Sequence, residues 1–349
     1  MNIDVVERIE FFLSRPLPGR SIQVGPGLGV GTIKGPRDDN QDRAAVAQLS
    51  LPSGESFLIA LICDGMGGLA NGGEAAACAA SNFIAHFGIG YKRPLNALVH
   101  EALLTANKEV FRRFQGKGGT TLTAVVVSGT GEALIAHVGD SRLYECEPNR
   151  ALNLLTRDDT IGAQLRAAQD EDVLDNRLLQ FVGVGSQIEP HVFRIPKGIG
   201  STFLVTSDGA HSIGKKALDG IAKSSATAVE LVRKVVFVAE AIGVEDNSSA
   251  VAVSITELDP LPTFSNGIEL TVWSAADKLE MWLGNPPKVP PVVSRTDQPR
   301  ALDQPKQKKV GKARPKISKK ADDPPPGLTQ DQEKPQLNIE FGSRNKDTP

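Results

Sequence analysis

FLIALICDGMGG, residues 57–68, is an unbroken apolar run that ends in an aspartate followed by glycine. The run predicts a buried strand, and Asp64 stands where that strand would end in a turn. The same pattern recurs in ALIAHV before Gly139-Asp140 and in TFLVT before Ser207-Asp208. A carboxylate at a strand end can be held rigidly while it points into a cleft.

Five aspartates at expected strand ends or turns form a candidate metal-binding group: Asp42, Asp64, Asp140, Asp208 and Asp246. One aspartate in a turn is ordinary, but several at strand ends, three of them followed by glycine or asparagine, suggest a cage for hard divalent cations. Oxygen ligands suit Mg²⁺ and Mn²⁺. A pair of such ions activates water and clamps a transferring phosphoryl group.

The composition indicates a globular protein with neither a zinc site nor a polyanionic partner. Of 349 residues, 40% are hydrophobic, which is enough for a substantial core, and the net charge is -2. The histidines show no zinc-type spacing. Three cysteines without paired spacing argue against disulfides and indicate a reducing, cytoplasmic location. No apolar run reaches the roughly 18 residues of a membrane span, so no membrane partner is expected.

Strands and helices come in blocks rather than in strict alternation, which favours an α+β fold. The domains are predicted as an N-terminal amphipathic segment over 1–20, a catalytic domain over 21–258, a short helical extension over 259–285 and a disordered tail over 286–349. Strands are expected at about 22–33, 43–50, 56–62, 120–128, 132–138, 141–146, 201–206 and 249–256. Helices are expected at about 74–87, 95–115 and 226–242.

The chain changes character near its end. WSAADKLEMWLG, residues 273–284, is interpreted as one amphipathic helix with Trp273 and Trp282 as anchors. Residues 286–349 are rich in proline and lysine and bury too little apolar surface to offset their ordering entropy, so disorder is expected. The favoured interpretation of the basic stretch 304–320 is a solvated linker. Docking to an acidic partner and weak nucleic-acid contact stay open as alternatives.

An ordered series of motifs spans residues 20–257: RDDNQD (37–42), DGMGG (64–68), GGTT (118–121), GDSR (139–142), LTRDD (155–159), NRLLQFVGVG (176–185), SDG (207–209) and EDNSS (245–249). In this order it resembles the metal-dependent Ser/Thr protein phosphatases of the PPM family, type 2C, and DGMGG is typical of their bacterial branch. The resemblance implies a four-layer sandwich of two stacked antiparallel sheets flanked by helices, with metals in a cleft at one end.

The resemblance also implies a metal-ligand set. Asp64 is similar to the carboxylate that bridges two Mn²⁺ or Mg²⁺ ions, and the carbonyl of Gly65 to a ligand of one of them. Asp208 and Asp246 resemble the ligands of the other ion, and Asp42 the acid that holds the metals through water. A metal-bridging water would then attack phosphorus directly, so that no covalent intermediate is needed.

The resemblance to the PPM family also implies roles for Arg37 and Asp140. Arg37 is similar to the residue that binds substrate phosphate, because a guanidinium matches phosphate oxygens and stays charged. Asp140 resembles a ligand of a third, weaker metal that it shares with Asp208. The chain departs from the family pattern at Gln41, where glutamate is frequent, and at Asp159, where histidine is usual.

The resemblance implies a hydrolase that removes phosphate from phosphoserine and phosphothreonine in signalling proteins, with a cognate Ser/Thr kinase as partner. Two alternatives to an enzyme stay open. One is a phosphoprotein-binding pseudophosphatase, against which the retention of the four main acids argues. The other is an adaptor that acts through residues 304–320.

Overall fold

A computed structural model of the chain describes residues 3–17, 19–66, 71–88, 93–147, 151–169, 175–196, 202–256 and 267–284. The strands are β1 Arg20–Gly25, β2 Leu28–Ile33, β3 Arg43–Ser50, β4 Ser56–Cys63, β5 Leu122–Ser128, β6 Ala133–Val138, β7 Arg142–Cys146, β8 Leu152–Leu154, β9 His191–Arg194, β10 Thr202–Thr206, β11 Ser248–Ser254, β12 Gly267–Ser274 and β13 Lys278–Gly284. The helices are α1 Ile3–Leu13, α2 Gly72–His86, α3 Leu95–Phe114, α4 Ile161–Gln169, α5 Asp208–His211, α6 Lys215–Ser224 and α7 Ala228–Ile242.

The strands form two antiparallel sheets. One has the order β1-β2-β11-β10-β7-β8, and the other has the order β13-β12-β3-β4-β5-β6-β9. Helices α1, α2 and α3 cover the outer face of the second sheet, and α6 and α7 cover the first. The α+β class and the four-layer sandwich expected from the sequence are therefore confirmed.

Strand β4 shows why the apolar run at 57–63 has no polar face. Alternate residues of a strand point to opposite sides. Ile59 and Leu61 pack into the core beneath the helices, whereas Ala60 and Ile62 pack into the core between the two sheets. Both faces of β4 are thus buried, and every residue in it must be apolar or small.

The helix expected at 273–284, and with it the helical extension over 259–285, is wrong where the structure describes it. Residues 267–284 form a hairpin whose β12 pairs with residues 45–50 of β3. Alternation explains the strand, because Leu270 and Val272 are buried in the core under the helices. Trp273 is buried, whereas Trp282, expected as the second anchor, is 57% exposed. The boundary at 258 therefore cuts through one sheet.

The N-terminal amphipathic segment contains α1, which packs against α2. Phe12 and Leu13 are buried in the core under the helices, whereas Phe11 is 72% exposed. The tail 286–349 and its basic stretch lie outside the described residues. Within the described residues, no helix combines the length and the apolar character needed to span a membrane.

Candidate metal centre

Six of the seven residues expected at the site line one cavity of about 640 Å³: Arg37, Asp64, Gly65, Asp140, Asp208 and Asp246. They come from strand ends at one end of the sandwich. Asp64 follows β4, Asp140 lies between β6 and β7, Asp208 follows β10, and Asp246 precedes β11. Antiparallel pairing brings the ends of β7, β10 and β11 together in one sheet, and the sheet stacked on it places the end of β4 at the same cavity.

The Asp64 turn is held by two threonines of the neighbouring chain segment. The Asp64 N–H donates to Thr121 Oγ1 at 3.0 Å, and the Asp64 carbonyl accepts from the hydroxyl of Thr120 and the N–H of Thr121, both at 2.9 Å. Gly65 has no room for a side chain, since a Cβ there would lie 2.5 Å from the backbone of Gly72. The first residues of α2 therefore lie directly against the turn that presents Asp64.

A second close approach brings Asp208 and Asp246 together. A Cβ at Gly209 would lie 2.1 Å from the carbonyl oxygen of Asn247, so only glycine lets the two loops touch. Below them, the Ser249 N–H donates to Ser207 Oγ at 2.9 Å, and the Ser207 N–H donates to the Ser249 carbonyl at 3.0 Å. The spacing of these two carboxylates is thus set by backbone contact.

Asn247 is a site residue that the sequence analysis did not single out. Its amide nitrogen donates to the carbonyls of Lys34 and Asp39 at 2.8 and 3.0 Å, and its Oδ1 accepts from the Gln41 N–H at 2.8 Å. This buried side chain ties the loop of Arg37 to the loop of Asp246. An asparagine directly after a predicted ligand was the available signal.

Arg37 makes an ion pair with one of the expected ligands. Its Nη2 donates to Asp246 Oδ2 at 2.6 Å, and its Nε donates to the carbonyl of Glu245 at 3.2 Å. The side chain is 48% exposed and borders the cavity. A cation or a phosphate group that entered the cavity would therefore compete with this pair.

The carboxylates at the cavity raise one another's pKa. Burial is the largest cause for the strongly raised pKa of Asp64, followed by the charges of Asp42, Asp208 and Asp140. Burial and then Asp208 raise the pKa of Asp140 to about 7. Burial and Asp246 raise the pKa of Asp208, and the N–H of Gly209 offsets part of that rise. Bound divalent cations would relieve this repulsion.

Asp42 lies behind the cavity wall instead of lining it. It is 1% exposed, and neither carboxylate oxygen has a hydrogen-bond partner. Burial raises its pKa to about 6; the hydroxyls of Ser249 and Ser207 face it and oppose the rise, but neither reaches normal hydrogen-bond geometry. A buried, unpartnered carboxylate is costly unless positive charge or water satisfies it.

The donor set therefore fits hard divalent cations, although the carboxylates do not form a closed cage. Among the described residues, no three carboxylate, thiolate or imidazole groups already converge in the arrangement of a finished metal site. Asp246 is instead paired with Arg37. All the candidate side chains are oxygen donors, which Mg²⁺ and Mn²⁺ prefer.

Comparisons with known proteins agree with this geometry. The model of the family Protein phosphatase 2C matches residues 37–241. The PPM Ser-Thr phosphatase MsPP of Mycobacterium smegmatis, solved in complex with cacodylate, is 29% identical, with a TM-score of 0.54 over 67% of this chain and 98% of that one. No match was found among curated proteins.

More distant structures share the fold. The Mycobacterium tuberculosis Ser/Thr phosphatase PstP/Ppp is 22% identical, with a TM-score of 0.55 over 67% of this chain and 99% of that one. Staphylococcus aureus Stp1 is 19% identical, with a TM-score of 0.57 over 68% and 99%. With a family model that covers more than half of its residues, the chain belongs to the protein phosphatase 2C, or PPM, family of Ser/Thr protein phosphatases.

Proposed function

We propose that this protein hydrolyses phosphoserine and phosphothreonine in proteins by direct attack of water, with Mn²⁺ or Mg²⁺ as cofactor. The observation that carries the proposal is the meeting of the four expected aspartates, the Gly65 turn and Arg37 in a single cavity. Because water would attack phosphorus directly, no thiol, histidine or activated serine is needed as a nucleophile. Membership of the PPM family supports the same reaction.

The residues present would hold two ions. Asp64 would bridge them, the carbonyl of Gly65 would bind one, and Asp208 and Asp246 would bind the other. Such a pair lowers the pKa of bound water and neutralises charge on a transferring phosphoryl group. Asp42 would act from behind the cavity wall, because its buried oxygens, which lack hydrogen-bond partners, would accept hydrogen bonds from metal-bound water. Asp140 would join Asp208 in binding a third, weaker ion.

Arg37 would bind the phosphate group of the substrate. Its guanidinium sits at the mouth of the cavity, where its present partner is Asp246. With Asp246 holding a cation, the N–H groups of Arg37 would be free to donate to two phosphate oxygens at once. The arginine would then exchange Asp246 for the substrate phosphate and orient that phosphate, without contributing a proton.

The cavity has room for more than a phosphate group, which supports a protein substrate. Asn176, Arg177 and Leu178 form part of its wall. The side chain of Arg177 is 78% exposed and is held in place by Asp175, so it can meet residues that flank a phosphoserine. A cognate Ser/Thr kinase would supply such substrates. The three free, buried cysteines suit the reducing cytoplasm in which we place the enzyme.

The test is hydrolysis of para-nitrophenyl phosphate and of a phosphothreonine peptide, with and without added Mn²⁺. We expect turnover of both substrates that requires the metal and collapses in Asp208→Asn. Asp4→Asn, which changes an exposed acid on α1, is the matched control and should keep wild-type turnover. A folded protein that binds the phosphopeptide but never hydrolyses it would instead establish a pseudophosphatase.

A further inference from the structure

Asp159, which occupies a position where the PPM family usually has histidine, clamps the turn that leads into Asp140. Its Oδ2 accepts the Gly139 N–H at 2.9 Å, and its own N–H donates to the Gly139 carbonyl at 2.8 Å. Gly139 has a φ of 110°, and a Cβ there would lie 2.6 Å from the side chain of Thr121. The turn thus has a conformation that glycine alone adopts easily, fixed from both sides by one residue.

The same carboxylate has two further partners. His191 Nε2 lies 2.8 Å from Asp159 Oδ1, and Gln180 Nε2 donates to Oδ2 at 2.9 Å. Gln180 is itself held, because its side chain bonds to the backbone of Glu189 in both directions. The Asp159 carboxylate is only 12% exposed, so these contacts are its main solvation.

These bonds connect the Asp140 turn to the wall of the cavity. We define the flap segment as residues 175–185. The Leu179 N–H donates to the Asp159 carbonyl at 2.7 Å, and the Ile161 N–H donates to the Arg177 carbonyl at 3.0 Å. Arg177 and Leu178 of this segment line the same cavity as Asp140. One side chain therefore touches both the flap segment and the turn that carries an expected metal ligand.

We infer that Asp159 is a positioning residue that couples the flap segment to Asp140, with His191 and Gln180 orienting its carboxylate. The inference rests on the proposed function for its consequence, since Asp140 matters only if it binds a cation. A shift of Gln180 with bound substrate changes the hydrogen bonds of Asp159 and thereby the position of the Gly139 N–H. The flap thus adjusts metal binding without contacting the metal.

The pair of Asp159 and His191 also accounts for the departure from the family pattern at position 159. A histidine at 159 would bring an imidazole to this place, and here His191 supplies the imidazole from β9. The ring of His191 stacks on that of His137, with centroids 5.8 Å apart, which holds its plane. Exchanging the two residue types would keep one carboxylate, one imidazole and a bond between them.

Asp159→Asn is the first variant to test. The Gly139 N–H and Gln180 Nε2 both bond to Oδ2, and His191 bonds to Oδ1, so the NH₂ group of an asparagine must face one of these donors. The clamp on Gly139 should therefore loosen. Loss of such an outer residue weakens metal binding by about 10-fold to 100-fold. We expect this loss in the weakest Mn²⁺ site, measured by isothermal titration calorimetry and by the Mn²⁺ concentration for half-maximal activity, with the KM for para-nitrophenyl phosphate within about twofold of wild type.

Two more variants separate positioning from folding. The exchange Asp159→His with His191→Asp should recover at least about a third of the lost affinity, since it restores the pair. Gln180→Leu removes the flap-side donor to Asp159, together with the two bonds between Gln180 and the backbone of Glu189, and should weaken the same site by about threefold. His86→Gln, in a histidine–glutamate pair between α2 and α3, is the matched control and should change nothing.

Unchanged Mn²⁺ binding in folded Asp159→Asn would overturn the inference, as would a loss of affinity equal at every site. If Asp159→Asn does not fold, Gln180→Leu becomes the deciding variant, and wild-type Mn²⁺ affinity in Gln180→Leu would overturn the inference. Calorimetry keeps the two proposals apart. Wild-type protein that binds Mn²⁺ but releases no phosphate refutes the proposed function, while the coupling is still judged from the binding data alone.

Discussion

Replacing Asp42 with asparagine should make the metal-free protein more stable, although it removes an acid that the site uses. The carboxylate is 1% exposed and neither oxygen has a hydrogen-bond partner. An ionised carboxylate in that position loses its hydration at a high cost in free energy. A neutral amide of the same size is buried there at a much lower cost. The hydroxyls of Ser249 and Ser207 beside it can serve the amide as acceptors and donors.

The magnitude follows from the pKa of Asp42. Burial, the largest cause, raises it from 3.8 to about 6. A raised pKa means that the folded state holds the proton more tightly, so stability is present below about pH 4 and is lost as the pH rises to about 6. Each tenfold change in an ionisation constant corresponds to about 1.4 kcal/mol. The gain for Asp42→Asn should therefore be about 1.5 kcal/mol near pH 5 and at most about 3 kcal/mol near pH 8.

Urea unfolding in the presence of a chelator, at a series of pH values, measures this difference. Asp4→Asn serves as control, because an exposed carboxylate at the start of α1 should shift the free energy of unfolding by no more than about 0.5 kcal/mol at any pH. Addition of Mn²⁺ should reverse the order and favour wild type. A variant that is less stable than wild type at pH 8, or a difference that does not change with pH, would refute the reasoning.

Three further predictions concern the phosphate, the ligand spacing and the domain boundary. Arg37→Ala should lower kcat/KM for a phosphothreonine peptide by about 10-fold to 100-fold, and lysine should restore only part of it, as steady-state kinetics will show. Gly209→Ala should weaken Mn²⁺ binding at least about tenfold in calorimetry, since a methyl group would press on Asn247, whereas Gly220→Ala, with open space around it, should not. A protein ending at residue 258 should aggregate on expression because it lacks β12 and β13, whereas one ending at 285 should give a normal circular dichroism spectrum.

Much of the site could be predicted because its geometry follows from local sequence. A buried strand needs an apolar run on both faces, and an aspartate with a glycine after it marks where such a strand ends. Those two local signals place Asp64 and Asp208 correctly at the end of β4 and after β10. Antiparallel pairing then brings the ends of β7, β10 and β11 together, and the second sheet of the sandwich adds the end of β4.

The hairpin at the end of the domain could not be predicted in the same way. WSAADKLEMWLG contains good helix formers, and its apolar residues fit helical spacing as well as alternation. What decides for strands is pairing with β3, more than two hundred residues earlier in the chain. Such a contact leaves no mark on the local pattern, and tertiary packing overrides helix propensity.

Hydrogen bonds and ion pairs between side chains far apart in sequence could not be predicted either. The bond between Asp159 and His191 joins residues 32 positions apart, and the pair between Arg37 and Asp246 joins residues 209 apart. No periodicity relates such positions, so the sequence could mark each charged residue without naming its partner. Asn247 escaped notice for the same reason, since its three partners lie in the loop of Arg37.

One titration tests the central claim most directly: Mn²⁺ is added stepwise to metal-free protein while the bound ions per chain and the phosphate released from a phosphothreonine peptide are both followed. We predict that release begins only as the chain fills two sites, and that Asp208→Asn fails to fill the second and stays inactive. A folded wild-type chain that is saturated with Mn²⁺ and releases no phosphate, or one that releases it equally well without metal, would contradict the account.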